Sequence, residues 1–220
     1  AAPRGSLCQA ESMPHATLQI IRDDHAALAA VLRSLTMMID RGPGDEPERF
    51  FDVLRAMLFY IDEFPERQHH PKESNLLFPK VARVAPDTLG TIEHLESDHH
   101  SGEERVRTLQ HQLIAWELFG EPRRAAFELA ARTYVTFYLE HMRIEEQVIL
   151  PAAEKGLDAA DWHELDAAFG ANHDPLTGRY PRDGAYDRLY TRIVMKAPAL
   201  VGLGPSAGDR GKAAGRLQDK

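Results

Sequence analysis

Apolar residues recur at alternating steps of three and four along four stretches of the first 155 residues, and that rhythm predicts four long helices. The first seam reads Leu18, Ile21, His25, Leu28, Leu32, Leu35, Ile39, and Arg41-Gly42-Pro43-Gly44 stops it. The second pattern runs from about Pro47 to Val84, with Phe51, Leu54, Leu58 and Ile61 on its seam. Pro65 and Pro71 each remove a helical hydrogen bond, and the seam shifts phase by one residue between Pro65 and His69. A kink or irregular turn is expected there. The third pattern begins after Pro86, with Asp87 as its candidate cap. Its seam is Ile92, Leu95, His99, Gly102, Val106, Leu109, Leu113, Trp116. The fourth follows Gly120-Glu121-Pro122 and carries Phe127, Ala131, Tyr134, Tyr138, His141, Glu145 and Val148, with Pro151 as its expected end.

Short connections between four such helices favour an all-α, up-down-up-down four-helix bundle over residues 15–156. An extension over 157–198 reads as two short amphipathic helices. Asp158 to Phe169 carries Trp162, Leu165 and Phe169, and Asp183 to Lys196 carries Tyr186, Leu189, Tyr190, Ile193 and Val194. Asn172-His173-Asp174-Pro175-Leu176 is expected to be a loop. Residues 1–14 are expected to form a disordered leader, with Met13 a candidate start, and 199–220 a flexible tail. No internal repeat is apparent.

Four seam positions hold His25, His99, His141 and Glu145 where leucine, isoleucine, valine or tyrosine would otherwise stand. A polar group on a buried seam is costly without a partner. His69-His70-x-x-Glu73 and His141-x-x-x-Glu145 each place an imidazole and a carboxylate one turn apart on one helix face. In an up-down bundle at about 1.5 Å rise per residue, all these groups fall at a similar depth, roughly 10–18 Å from one end. The seven side chains His25, His69, His70, Glu73, His99, His141 and Glu145 are therefore candidate ligands of two metal ions, with the two glutamates as bridges. Imidazole with carboxylate suits iron, with zinc or manganese as substitutes. His15, His94, His100 and His111 fall off their seams and are expected at the surface. Adjacent helix positions point about 100° apart, so Asp24, Asp98 and Glu140, each preceding a ligand histidine, are expected to be solvated. Tyr138, Met37, Met38 and Met57 read as packing residues.

The remaining numbers narrow the function. A formal net charge of −8 gives no electrostatic footprint for nucleic acid or an anionic membrane. Cys8 is the only cysteine, so no intrachain disulfide and no thiolate cluster can form. No run of about 18 apolar residues is present, and the first residues do not resemble a secretory signal. A cytoplasmic location is expected.

Arg22-Asp23-Asp24-His25, His69-His70-Pro71-Lys72-Glu73 with Leu76-Leu77-Phe78-Pro79, Asp98-His99-His100-Ser101-Gly102, and His141-Met142-Arg143-Ile144-Glu145-Glu146 with Leu150-Pro151 resemble bacterial hemerythrin-like proteins of the HHE cation-binding class. The resemblance covers about residues 15 to 155, and 161–176 is similar to a C-terminal extension of some members. It implies a four-helix bundle with a non-haem di-iron centre held by His25, His69, Glu73, His99, His141 and Glu145. His70 stands where some relatives place a carboxylate. One seam histidine on helix three, and His-x-x-x-Glu in place of His-x-x-x-x-Asp on helix four, depart from the oxygen-carrying members. The expected role is therefore to bind or sense a diatomic ligand, O2 or NO, or to handle iron under oxidative stress. The alternative is a di-iron peroxidase or an iron-centre repair protein.

Overall fold

The computed structural model describes residues 15–172, 174–178 and 186–197. The expected leader and tail lie outside the described residues, as do His173 and the start of the second short helix. All regular structure among the described residues is helical. Helix α1 spans Ala16–Arg41, α2 residues 47–84, α3 Leu89–Phe119 and α4 residues 124–156. Two shorter helices follow, α5 (Ala159–Phe169) and α6 (187–196). The first turn signal acts as expected. Gly42 takes φ of 66°, a conformation that favours glycine, and donates its N–H to Met38 and Ile39 carbonyls. Asp87 makes no cap to α3, whereas Asp158 caps α5 in a box with Asp161.

Helices α1 to α4 close a ring in which each touches its two neighbours. Neighbours run antiparallel: Phe50 and Phe51 at the start of α2 pack on Trp116 near the end of α3. Arg132 in the first half of α4 pairs with Asp40 at the end of α1. All the predicted seam residues of α1 and α3 are buried. The core is split into two apolar masses. One runs from Leu28, Leu54 and Tyr60 to Val106, Trp116 and Tyr138. The other gathers Leu18, Ile21, Leu77, Leu95, Ile149, Trp162 and Phe169. On every helix the candidate ligands fall at the boundary between the two.

Helices α2 and α4 are not uniform. α2 is π-helical over Asp62–His69 and again over Glu73–Leu77, and α4 over Glu145–Ile149. The i→i−5 hydrogen bonds run from His70 to Pro65, from Phe78 to Glu73 and from Leu150 to Glu145. Prolines explain the placement. A proline ring collides with the carbonyl four residues earlier in an α-helix. For Pro71, Pro79 and Pro151 that carbonyl belongs to Arg67, Asn75 and Gln147, each inside a π-turn. The wider turn lets the helix pass its proline, so α4 continues through Pro151 to Gly156 where an end was expected. Each π-turn holds one extra residue. That accounts for the phase shift before His69. It also corrects the seam of α4, since Ile149 is fully buried while Val148, the expected position, is 38% exposed.

The extension packs against the bundle. In α5, Trp162, Leu165 and Phe169 join the second core, and Asp166 accepts from the Thr17 N–H and hydroxyl. In α6, Leu189 and Ile193 join the first core, beside Tyr186 on Phe64. Two expectations fail at the surface. Met37 is 40% exposed and not packed. His15 is half-buried and stacks on Trp162, with ring centroids 4.1 Å apart.

Candidate metal centre

All seven candidate residues come together in one layer and all are buried. His70, Glu73, His99 and His141 each offer a donor atom within 4.8 Å of the others, and so do His25, His69 and Glu73. Glu145 joins the two sets. Its oxygens lie 3.2 Å from His25 Nε2, 3.2 Å from His141 Nε2 and 3.8 Å from His99 Nε2. Glu73 does the same from α2, at 3.1 Å from His69 Nε2 and 3.6 Å from His99 Nε2. The π-turns begin at Glu73 and Glu145, so the local widening sits where the two carboxylates enter the layer.

The five imidazoles share one orientation rule. Their outer nitrogens, Nδ1, meet a supporting group on the rim. His25 meets Glu146 at 3.0 Å, His69 meets Asp24 at 2.9 Å, His70 meets Glu66 at 3.1 Å, His99 meets the Ser74 hydroxyl at 2.9 Å, and His141 meets Asp98 at 3.3 Å. A carboxylate on Nδ1 fixes the N–H there and leaves Nε2 as a lone-pair donor toward the interior, the arrangement of metal-ligating histidines. Asp24 and Asp98 are thus buried partners and not solvated acids, as their position beside a ligand had suggested. The 100° rule still holds. Neither supports its own neighbour; Asp24 reaches His69 on α2, and Asp98 reaches His141 on α4. Glu140 is exposed and pairs with Arg143, as expected.

An approximate twofold relation links the halves. Asp24-His25 on α1 corresponds to Asp98-His99 on α3. His69, Glu73 and Ser74 on α2 correspond to His141, Glu145 and Glu146 on α4. His70 breaks the relation, since Met142 stands in the equivalent place. Around His70 lies a buried hydrogen-bonded cluster. Glu66 accepts from Tyr134 at 3.0 Å and Tyr138 at 2.5 Å, and Tyr138 stacks parallel to the His70 ring. Gly102 is required there, because a Cβ would lie 1.9 Å from the Tyr138 hydroxyl.

The charge balance of the layer is incomplete with protein alone. Both oxygens of Glu73, both of Glu145 and Nε2 of His69 are buried with no hydrogen-bond partner of acceptable geometry. Burying a carboxylate unpaired is expensive, and a cation between these lone pairs satisfies them all. Protons are the substitute. Burial opposes charge on His141, but the Glu145 carboxylate and the Asp98 hydrogen bond prevail and raise its pKa to about 10. His69 is raised likewise, against burial, by Glu73 and Asp24. Burial, followed by the neighbouring His99 and His141, drives His70 well below its ordinary value. Burial would raise Glu145, yet His141 and the other histidines around it hold it well below the usual carboxylate range.

A cavity of about 20 Å³, room for one water-sized molecule, opens beside His25, His69 and His70. Gln68, Met142, Asn172 and Asp174 close it. Sequence reasoning missed Glu66, Ser74, Glu146, Asn172 and Asp174. For three of them a signal existed: Glu66 lies four residues before His70, and Ser74 and Glu146 follow the two glutamates. Asn172 and Asp174 carry none, since they reach the layer only through tertiary packing.

The family model for the hemerythrin HHE cation binding domain matches residues 16–153. A comparison with curated protein sequences finds no match. No helix among the described residues is long and apolar enough to cross a membrane.

Proposed function

The chain belongs to the hemerythrin HHE cation-binding domain family, and on that premise we propose that it holds two iron ions and uses them to bind or sense O2 or NO. His70, Glu73, His99 and His141 would hold one ion, His25 and His69 the other, with Glu73 and Glu145 as bridges. One observation carries the reading: five imidazoles turn Nε2 inward while four buried carboxylate oxygens lack any other partner. The donor set fits iron and tolerates zinc or manganese, since it is all nitrogen and oxygen. When bound, a pair of iron ions supplies reversible electron transfer and a coordination position for a small ligand.

The protein's own part is positional. Asp24, Asp98, Glu146, Glu66 and Ser74 fix the five rings. The two apolar cores above and below exclude water from the layer. His25 and His69 would hold the ion with fewer protein donors, and both rings line the small cavity together with His70. Handling of iron under oxidative stress is the related role for the same centre.

A second reading, a di-iron peroxidase, draws on one feature. Asp174 lines that cavity, and burial raises its pKa to about 6 although the Tyr60 hydroxyl donates to it at 2.6 Å. A carboxyl poised there can hold or release a proton near neutral pH.

Iron analysis and optical spectra of the reduced protein, with and without O2 or NO, test both. Two irons per chain and a ligand-dependent band are expected, with slow peroxide consumption. Rapid catalytic loss of peroxide would favour the second reading. His99→Ala should lose most of the iron and His94→Ala none; equal loss in the two would overturn the ligand assignment.

A further inference from the structure

Resting on that reading, we propose that the C-terminal extension is a working part of the metal centre, with Asn172 the positioning residue that holds His69, through Asp24, for the cation of the His25/His69 side. The Asn172 amide is 3% exposed and its two ends are fixed. Its oxygen accepts from the Lys72 ammonium on α2. That contact turns the NH2 toward Asp24, to which it donates at 3.1 Å. The same Asp24 oxygen accepts from His69 Nδ1 at 2.9 Å. Two hydrogen bonds therefore run from the extension through Asp24 to a ligand ring, with Lys72 anchoring the far end of the Asn172 amide, and the Phe169 ring of α5 packs on that ring in a T-shaped contact.

The other half of the centre shows what the extension adds. Among the described residues, Asp98, the counterpart of Asp24, is backed by His94 at 3.6 Å, whose side chain is 59% exposed. The two halves also differ in donors, since His70 has no counterpart beside His25 and His69. The side with fewer protein ligands is thus the side that the extension buttresses and covers, through Asn172 and Asp174 on the cavity wall. An outer group that orients a ligand histidine typically contributes 10–100-fold in metal affinity. Here that contribution falls on one cation of the pair.

The test is titration of the metal-free full chain with Co2+, followed by its visible absorption, in the unmodified protein, Asn172→Ala and Lys72→Met. The unmodified chain should take up two ions. In Asn172→Ala the first should bind unchanged and the second up to about tenfold more weakly, the low end of the range for outer groups because Asn172 acts through Asp24. Lys72→Met should weaken the same ion to a lesser degree, and it covers the case in which Asn172→Ala does not fold. In the zinc-loaded, 15N-labelled protein, the His69 Nδ1–H resonance should broaden in Asn172→Ala while that of His141 stays sharp. Unchanged binding of both ions, or equal weakening of both, would overturn the positioning role while leaving the two-ion centre intact. An unmodified chain that binds only one Co2+ would overturn the two-ion reading itself, and this inference with it.

Discussion

Glu145 and Glu146 are neighbours in sequence that stand in different surroundings, so replacing each by glutamine separates the proposed ligand from its support. Glu145 is 1% exposed and faces three imidazole nitrogens at 3.2–3.8 Å. Removing one partner of a buried charged pair costs about 3–5 kcal/mol. Glu145→Gln should therefore destabilise the metal-free fold near pH 6 by roughly that amount. It should also abolish tight binding of the second iron, because a neutral amide cannot bridge two cations. The Glu146 side chain pairs with His25 Nδ1 and is 44% exposed. A solvent-screened pair contributes about 0–1 kcal/mol, and an outer support at the low end of its range about tenfold in affinity. Urea unfolding with chelator present, and iron retained against a competing chelator, measure the two quantities. Equal effects from the two substitutions, or two tightly held irons in Glu145→Gln, would refute the division.

Three more outcomes follow from the same geometry. In the metal-free protein burial drives His70 below its ordinary value, while the neighbouring carboxylates raise His25, His69 and His141 against burial. Their stabilisation is complete below the ordinary histidine value near 6.5 and is lost as pH rises through about 10, the value for His141; urea midpoints should fall over that window, and metal loading should flatten the trend and release protons. Gly102→Ala should destabilise the fold by about 1–3 kcal/mol through overpacking against Tyr138, and Tyr138→Phe in the same chain should recover part of that loss on thermal unfolding. Pro151→Ala removes the ring that the π-turn accommodates, so α4 is free to return to α-helical winding; iron retention should then fall, and retention at the unmodified level would separate the π-turn from ligand placement.

Much of this was legible in the chain. The helix seams, the end of α1 at Gly42 and the meeting of the seven donors all follow from periodicity and turn residues, because burial selects the same positions that regular helical geometry dictates. The departures share one cause. Val148 was placed on the seam and Pro151 at the end of α4 by extending a 3.6-residue period that the π-turn breaks. The one-residue slip before His69 was visible; the equivalent slip after Glu145 was not, because no apolar gap marked it. Asp24 and Asp98 were misjudged for another reason. The angle between neighbours rules out a partner on the same helix, but a bundle supplies partners from the next helix, and only packing reveals those.

The matched spacing of the prolines explains why two unrelated-looking stretches deliver equivalent carboxylates. Pro79 follows Glu73 by six residues and Pro151 follows Glu145 by six. In each case the ring forces the preceding turn open at the glutamate, so both halves of the bundle present a carboxylate from a widened turn. Such a constraint is symmetric and would by itself yield two equal metal positions. Asymmetry enters at few residues: His70 against Met142, with Glu66 and the tyrosines behind it, and Asn172 against the exposed His94. On the proposed two-ion reading, the first would add a donor to one ion, and the second would steady the ion with fewer protein donors from outside. One well-held ion and one accessible ion would suit ligand binding at a single site, and those few residues would decide which ion takes which part.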